Sequence, residues 1–176
     1  PAEEDSGLGT LAAIRGGWNA DACVIPEPTT GPSGVPDLVI AHAGAMSLRV
    51  NVAGRSAHAS KRLQGESALD HFITLYKAMR EDEKALNERE AHPLMRVHPL
   101  PYATNVGTIK GGIWSSSVMD QLEAQVRVGV ALHETIDQAE ERFRSALFEH
   151  TRDDPWLRDN PPSITRLASG FGSAET

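Results

Sequence analysis

The sequence predicts an α+β domain in which a four-stranded antiparallel sheet is covered on one face by two amphipathic helices. Two patterns lead there. From about residue 43, stretches of period-two alternation trade places with stretches of apolar residues at i, i+3, i+4 and i+7, in the order β-α-β-β-α-β. Each strand gathers its apolar residues on one side and each helix carries one apolar stripe, so a single buried interface satisfies all of them. This is the ferredoxin-like arrangement.

The elements follow in chain order. "MSLRVNV" puts Met46, Leu48, Val50 and Val52 on one face and Ser47, Arg49 and Asn51 on the other. Ser67 opens a helix, with Asp70 three residues on as in a capping box. Its stripe reads Leu69, Phe72, Ile73, Tyr76 and Met79, and the polar tail "REDEKALNERE" extends it into solvent. "YATNVGTIKGG" is the second strand and "DQLEAQVRVGVA" the third, with Leu122, Ala124, Val126, Val128 and Val130 inward. Thr135 with Gln138 caps the second helix, whose stripe is Ile136, Ala139, Phe143, Ala146 and Leu147; "PSITRLA" is the fourth strand. The uncovered sheet face carries Arg49, Asn51 and Arg127.

Residues 1–42 have a different character. "GTLAAIRGG" reads as a short helix ended by glycines, and "ADACVIPEPTT" as a short buried strand running into a Pro-rich loop. These pieces are too short to bury one another and read as part of a larger α/β domain.

Composition bounds the function. The 176 residues suit one domain, or one domain with pieces of another, and 40% hydrophobic with 23% charged residues is enough for a core. A net charge of −7 argues against a nucleic-acid face or an anionic membrane surface, both of which need clustered Lys and Arg. No apolar run approaches the roughly 20 residues of a membrane span. The single Cys23 forms no internal disulfide, which points to a reducing cytoplasm. "PAEEDSG" is no signal peptide and has no initiator Met, so the expectation is a chain that begins mid-gene.

Three acidic residues and one histidine carry the candidate chemistry. Glu3 and Glu4 stand side by side before a Gly-containing turn; one can bind a cation while its neighbour takes a proton from metal-bound water. Glu27, between two prolines after an apolar run, sits where ligands bind at a strand's C-terminal end in α/β sheets. The plain alternative for all three is a solvated acidic surface. His58 lies among the small residues Ser56, Ala57, Ala59 and Ser60, just after a strand and before a helix. Read alone, it is a loop histidine capping local backbone.

Taken together, four segments resemble one family. "EEDSGLGTLAAIRGGWNADACVIPEPT", "AGRSAHASKRLQGESALDHF", "TNVGTIKGGIWSSSVMD" and "DDPWLRDNPPSI" are similar, in this order, to segments of the metal-dependent amidohydrolases that include acetylornithine deacetylase, succinyl-diaminopimelate desuccinylase, aminoacylase and glutamate carboxypeptidase. The resemblance implies a catalytic domain with two zinc or cobalt ions and an inserted lid that also dimerises. Residues 1–42 would belong to the first, 43–155 to the lid, and 156–176 to the last lid strand and the return to the catalytic domain. Glu3 would be the general base, Glu4 a ligand of one metal and Glu27 of the other; Glu4 with Asp5 is the alternative base and ligand pair. His58 would cross the dimer to donate a hydrogen bond to the oxyanion in the partner's active site. Arg127 would hold a substrate carboxylate, with Asn105 and Ser116 beside it on the substrate side.

The sequence also departs from the family. Ser116 stands where an asparagine is common, and Met119 replaces a proline. The family's His-x-Asp motif, bridging aspartate and last histidine are not found in these 176 residues. The resemblance therefore implies part of a hydrolase acting on an N-acyl amino acid or related small molecule: a homodimerising lid, inactive alone and binding no metal tightly. The alternative is a free-standing ferredoxin-like module that dimerises or binds a small ligand without catalysis.

Overall fold

A computed structural model of the chain describes residues 8–24, 34 and 38–176. The elements are α1 (Leu8–Arg15), β1 (Ala41–His42), β2 (Gly44–Ala53), a 3-10 turn (Ala59–Gln64), α2 (Ala68–Glu88), β3 (Thr104–Gly111), β4 (Gln121–Val130), α3 (Ile136–Thr151), α4 (Pro155–Asp159), β5 (Ser163–Phe171) and β6 (Ala174–Glu175). The main sheet runs β3-β4-β2-β5, and every neighbouring pair is antiparallel. This is the expected ferredoxin-like order. β1 pairs with β6, so Ala41 lies beside Glu175.

Period-two alternation sets the core. Met46, Leu48, Val50 and Val52 of β2 and Leu122, Ala124, Val126, Val128 and Val130 of β4 are buried against Phe72, Leu75 and Met79 of α2 and Ala139, Phe143 and Leu147 of α3. Each such large side chain removed from water contributes about 1.5–3 kcal/mol before entropy is counted. Ser67 caps α2, accepting from the Asp70 amide at 3.2 Å. Thr135 and Gln138 form a reciprocal capping box on α3, at 2.8 and 3.2 Å.

The structure corrects three expectations. α2 keeps Phe72 and Met79 of the expected stripe inward but completes its buried face with Ala68, His71, Leu75 and Ala78, leaving Leu69, Ile73 and Tyr76 40%, 45% and 40% exposed. Both stripes satisfy helical spacing, and the small Ala68 and Ala78 let the helix sit close to the sheet on the side the structure uses. The tail of α2 is solvated on one face only, for Asp82, Glu83 and Leu86 are buried while Glu81, Lys84, Glu88 and Arg89 are exposed. Finally, residues 20–24 form no strand and Val24 is 86% exposed. A strand must pair its backbone groups with a neighbour, and no described strand lies against this segment; the rest of that run falls outside the described residues. α1 does form and ends at Gly17, whose φ of 90° suits glycine, but none of its residues is buried.

Candidate functional site

A loop from Gly54 to Glu66 leaves the sheet where β2 ends and β4 begins. Its base is closed by reciprocal backbone bonds, Arg55 N–H to Glu66 C=O at 2.8 Å and Glu66 N–H to Arg55 C=O at 2.9 Å. Gly54 permits this crossing. A Cβ there would fall 2.8 Å from the Ala68 nitrogen and 2.9 Å from the Met119 oxygen. The loop is strapped to the segment before β4 by Ala59 N–H to Ser116 C=O at 2.9 Å and Val118 N–H to Ala57 C=O at 2.8 Å, with the Ser56 and Ser117 hydroxyls 2.9 Å apart.

These straps present His58. It faces Ser117 across an isolated bridge and caps the 3-10 turn, its Nδ1 accepting from the Ser60 amide at 3.2 Å with the Ser60 hydroxyl 2.9 Å away. Because Nδ1 accepts, the neutral ring carries its hydrogen on Nε2, the nitrogen free to donate outward. Trp114 meets the imidazole edge-on at 5.9 Å and 64°. Leu63, Ile113 and Trp114 are exposed on the same two segments. Trp114 and Ser117 are contacts that the motif did not point to, and Ser60, expected only as a small neighbour, bonds the ring. The one sequence signal was a tryptophan stranded among glycines and serines in "GGIWSSS".

The second pair of candidates lies elsewhere. Asn105 and Arg127 are direct cross-strand partners, and Ser47 flanks Arg127 on β2. Both are exposed, on the helix-free face. Among the described residues no carboxylate pairs with Arg127, whereas Arg49 pairs with Glu123 at 3.3 Å and Asn51 donates to the Ser163 hydroxyl at 3.2 Å. Arg127 is six positions along β4 from Gln121, roughly 20 Å at ~3.3 Å per residue. The chain thus brings His58 to Ser116 and Asn105 to Arg127, and keeps the two pairs at opposite ends of the sheet.

Glu3, Glu4, Asp5 and Glu27 lie outside the described residues. Among the described residues no group of three or more His, Cys, Asp or Glu side chains is placed to hold a metal ion. Three of the other histidines have carboxylate partners: His71 with Asp154 at 2.9 Å and Glu66 at 3.5 Å, His150 with Glu81 at 2.7 Å, and His92 with Glu175 at 3.2 Å.

A four-stranded antiparallel sheet with two helices on one face defines a ferredoxin-like domain. Within that class the chain belongs to the peptidase dimerisation domain family, which residues 40–155 match. Over 167 residues the chain is 22% identical to N-formyl-4-amino-5-aminomethyl-2-methylpyrimidine deformylase of Halalkalibacterium halodurans, covering 93% of this chain and 39% of that protein. It superposes on a hydantoinase/carbamoylase family amidase from Burkholderia multivorans with a TM-score of 0.57 at 9% identity, covering 77% of this chain and 30% of that one. A hydantoinase/carbamoylase family amidase from Burkholderia ambifaria gives a TM-score of 0.57 at 12% identity, over 78% and 30%. At these identities the superpositions show the fold alone. The named relatives are hydrolases, and the chain spans well under half their length. The family read from the four motifs is thereby borne out. No helix among the described residues is long and apolar enough to cross a membrane.

Proposed function

We propose that the chain is the dimerising lid of an amide hydrolase that releases an acyl group from an N-acyl amino acid or related small molecule, and that His58 serves the active site of the partner subunit. The observation that carries this reading is the loop geometry. His58 is held by straps on both sides, its Nδ1 engaged and its Nε2 free to donate. A preorganised donor of this kind stabilises charge that develops on a carbonyl oxygen. The guanidinium of Arg127, beside Asn105 and without a carboxylate partner among the described residues, suits a substrate carboxylate through its planar fork of donors.

In this reading residues 1–42 belong to the catalytic domain, 43–155 to the lid, and 156–176 to the last lid strand and the return. Glu3 is the base and Glu4 and Glu27 are metal ligands, with Glu4 and Asp5 as the other possible pair; the enzyme works in the cytoplasm with two zinc or cobalt ions. Among the described residues no group of three or more His, Cys, Asp or Glu side chains is placed to hold a metal ion, and since the His-x-Asp motif, bridging aspartate and last histidine are not found in these 176 residues, the isolated chain is expected to turn nothing over. The homodimer uses the β3 edge, where Ile109 is 53% exposed and backbone groups await a strand, together with the outward stripe Leu69, Ile73 and Tyr76 of α2, which packs on β3.

His58→Ala in the active protein, assayed on N-formyl and N-acetyl amino acids, is expected to lower kcat by about 10²–10³ with dimerisation intact. An unchanged kcat removes His58 from the chemistry. A monomer at tens of micromolar, by sedimentation, removes the lid reading and leaves a free-standing module.

A further inference from the structure

A closed ring of side chains braces the base of the His58 loop from behind, and the chemistry above does not use it. The Arg55 guanidinium donates to Glu66 Oε1 at 3.3 Å and to the Gln64 carbonyl at 3.2 Å, and lies over the Trp156 indole at 5.3 Å. Trp156 Nε1–H donates at 2.9 Å to the carbonyl of Ala53, the last residue of β2. The same indole stacks on His71, with centroids 6.2 Å apart and planes 13° apart. His71 Nδ1 meets Asp154 Oδ2 at 2.9 Å, and its Nε2 faces Glu66 Oε2 at 3.5 Å. The other oxygen of Asp154 caps α4, accepting from the Trp156 and Leu157 amides at 2.9 and 3.0 Å. Ala53, Trp156, Asp154, His71, Glu66 and Arg55 therefore form one circuit around the two ends of the loop.

One atom in the circuit is out of place. His71 is 9% exposed, and its Nε2 is buried without a hydrogen bond among the described residues. Nδ1–H donates to Asp154. In the neutral ring Nε2 then turns a lone pair toward the Glu66 carboxylate, which repels it; in the imidazolium the same nitrogen becomes a donor and closes the circuit. Charged groups reach the His71 cavity from several elements. From the loop comes Glu66, with Arg55 beyond the indole. From the α4 side come Asp154, Asp153 and Asp159. α3 contributes His150, itself held by Glu81, and on α2 Asp70 is taken up by Arg62 at 3.1 Å. A cavity of about 690 Å³ lined by Glu66, His71, Asp154 and Trp156 gives solvent protons access.

We propose that His71 is a proton-operated positioning residue for the His58 loop: its imidazolium ties Glu66 to Asp154 and holds the loop base, and loss of the proton loosens it. His71 touches no substrate and acts through Glu66 and Trp156. Only the purpose of the loop rests on the function proposed above; the brace is measurable without turnover.

The test is an NMR titration of the isotope-labelled 176-residue chain between about pH 5 and pH 8, the range in which imidazoles change charge. The Arg55 and Glu66 amides and Trp156 Nε1–H are expected to follow the midpoint of the His71 ring rather than that of the His58 ring. Above that midpoint their protection from hydrogen exchange, corrected for intrinsic rates, should fall about tenfold, as for loss of one hydrogen bond to a charged group. His71→Phe keeps a flat ring on Trp156 without either donor and should hold the loop in its loosened state at every pH. Glu66→Gln offers the neutral ring an N–H and should abolish the pH dependence with the loop still ordered. If His71→Phe fails to fold, judged by the β2 and β4 amides, the titration and Glu66→Gln decide. Loop signals that follow the His58 midpoint, or stay flat while His71 titrates, overturn the proposal. Loss of the catalytic reading through His58→Ala would leave these signals untouched, so the two failures are distinguishable.

Discussion

The two halves of α2 are buried by different chemistry. The first half packs Phe72, Leu75 and Met79 into the apolar core under the sheet. The second half buries Asp82 and Glu83 beside Leu86. Glu83 accepts from the Thr104 amide at 2.5 Å and from Arg80 at 2.6 Å. Asn87 exchanges two bonds with the Tyr102 backbone, each 3.0 Å. Asp82 is gripped by Arg142, which also donates to Glu134 at 2.7 Å and to the Gly129 carbonyl at 3.2 Å. Burial pushes the Asp82 carboxyl above the usual carboxylate range, with Arg142 pulling the other way. The apolar half is held by area; the polar half is held by pairing of buried donors and acceptors, with Arg80 Nε left without a partner among the described residues.

The largest effect belongs to the apolar half. Phe143, fully buried on α3 under the same core, should cost about 3–5 kcal/mol as Phe143→Ala, measured as a drop in the urea midpoint at unchanged slope. The polar half should come close behind. Arg142→Ala strands the buried Asp82 carboxylate, the half-buried Glu134 carboxylate and the Gly129 carbonyl, for about 3 kcal/mol at pH 7. The two losses should part company with pH. Asp82 already has a folded pKa raised by burial, and Arg142→Ala removes the guanidinium that pulls it down, so the penalty is full above the folded value and lifts as pH falls through it. Phe143→Ala should show no such relief. A loss under about 1 kcal/mol for Arg142→Ala would mean that the polar half is ornament on a core that needs only area.

The same contrast explains what the sequence disclosed. The alternation in β2 and β4 names its own inward face, because one face is apolar and the other is not. α2 offered two apolar stripes, Leu69–Ile73–Tyr76 and Ala68–Phe72–Leu75–Met79, and periodicity alone does not choose between them; the alanines decide, by letting the helix close on the sheet. The charged run after Met79 looked solvated because its partners, Tyr102, Thr104 and Arg142, come from later in the chain, and pairing across such separations leaves no local pattern. The site divides in the same way. The placement of His58 in a loop between a strand and a helix was legible from the local pattern, whereas the Arg55–Trp156–His71 brace joins three segments that only the fold brings together. Glu3, Glu4 and Glu27 lie outside the described residues.

The smallest prediction isolates burial from pairing. His150 on α3 and Glu81 on α2 join the same two helices as Arg142 and Asp82, with Nε2 2.7 Å from the carboxylate, but Glu81 is 66% exposed. The Ala146 carbonyl raises the His150 pKa, burial opposes it, and the Glu81 carboxylate raises it further. A folded pKa above the unfolded one gives stability that is fully present below the ordinary histidine value near 6.5 and is lost as pH rises through the folded value. In water's screening this amounts to about 0.3 kcal/mol. Glu81→Gln should therefore flatten a shallow decline in stability above pH 6 and change little else. A loss approaching that of Arg142→Ala would show that carboxylate pairing between α2 and α3 is strong wherever it occurs. A loss near the expected size leaves burial as the reason why the second half of α2 matters, because like chemistry between the same helices would then differ about tenfold in effect through desolvation alone.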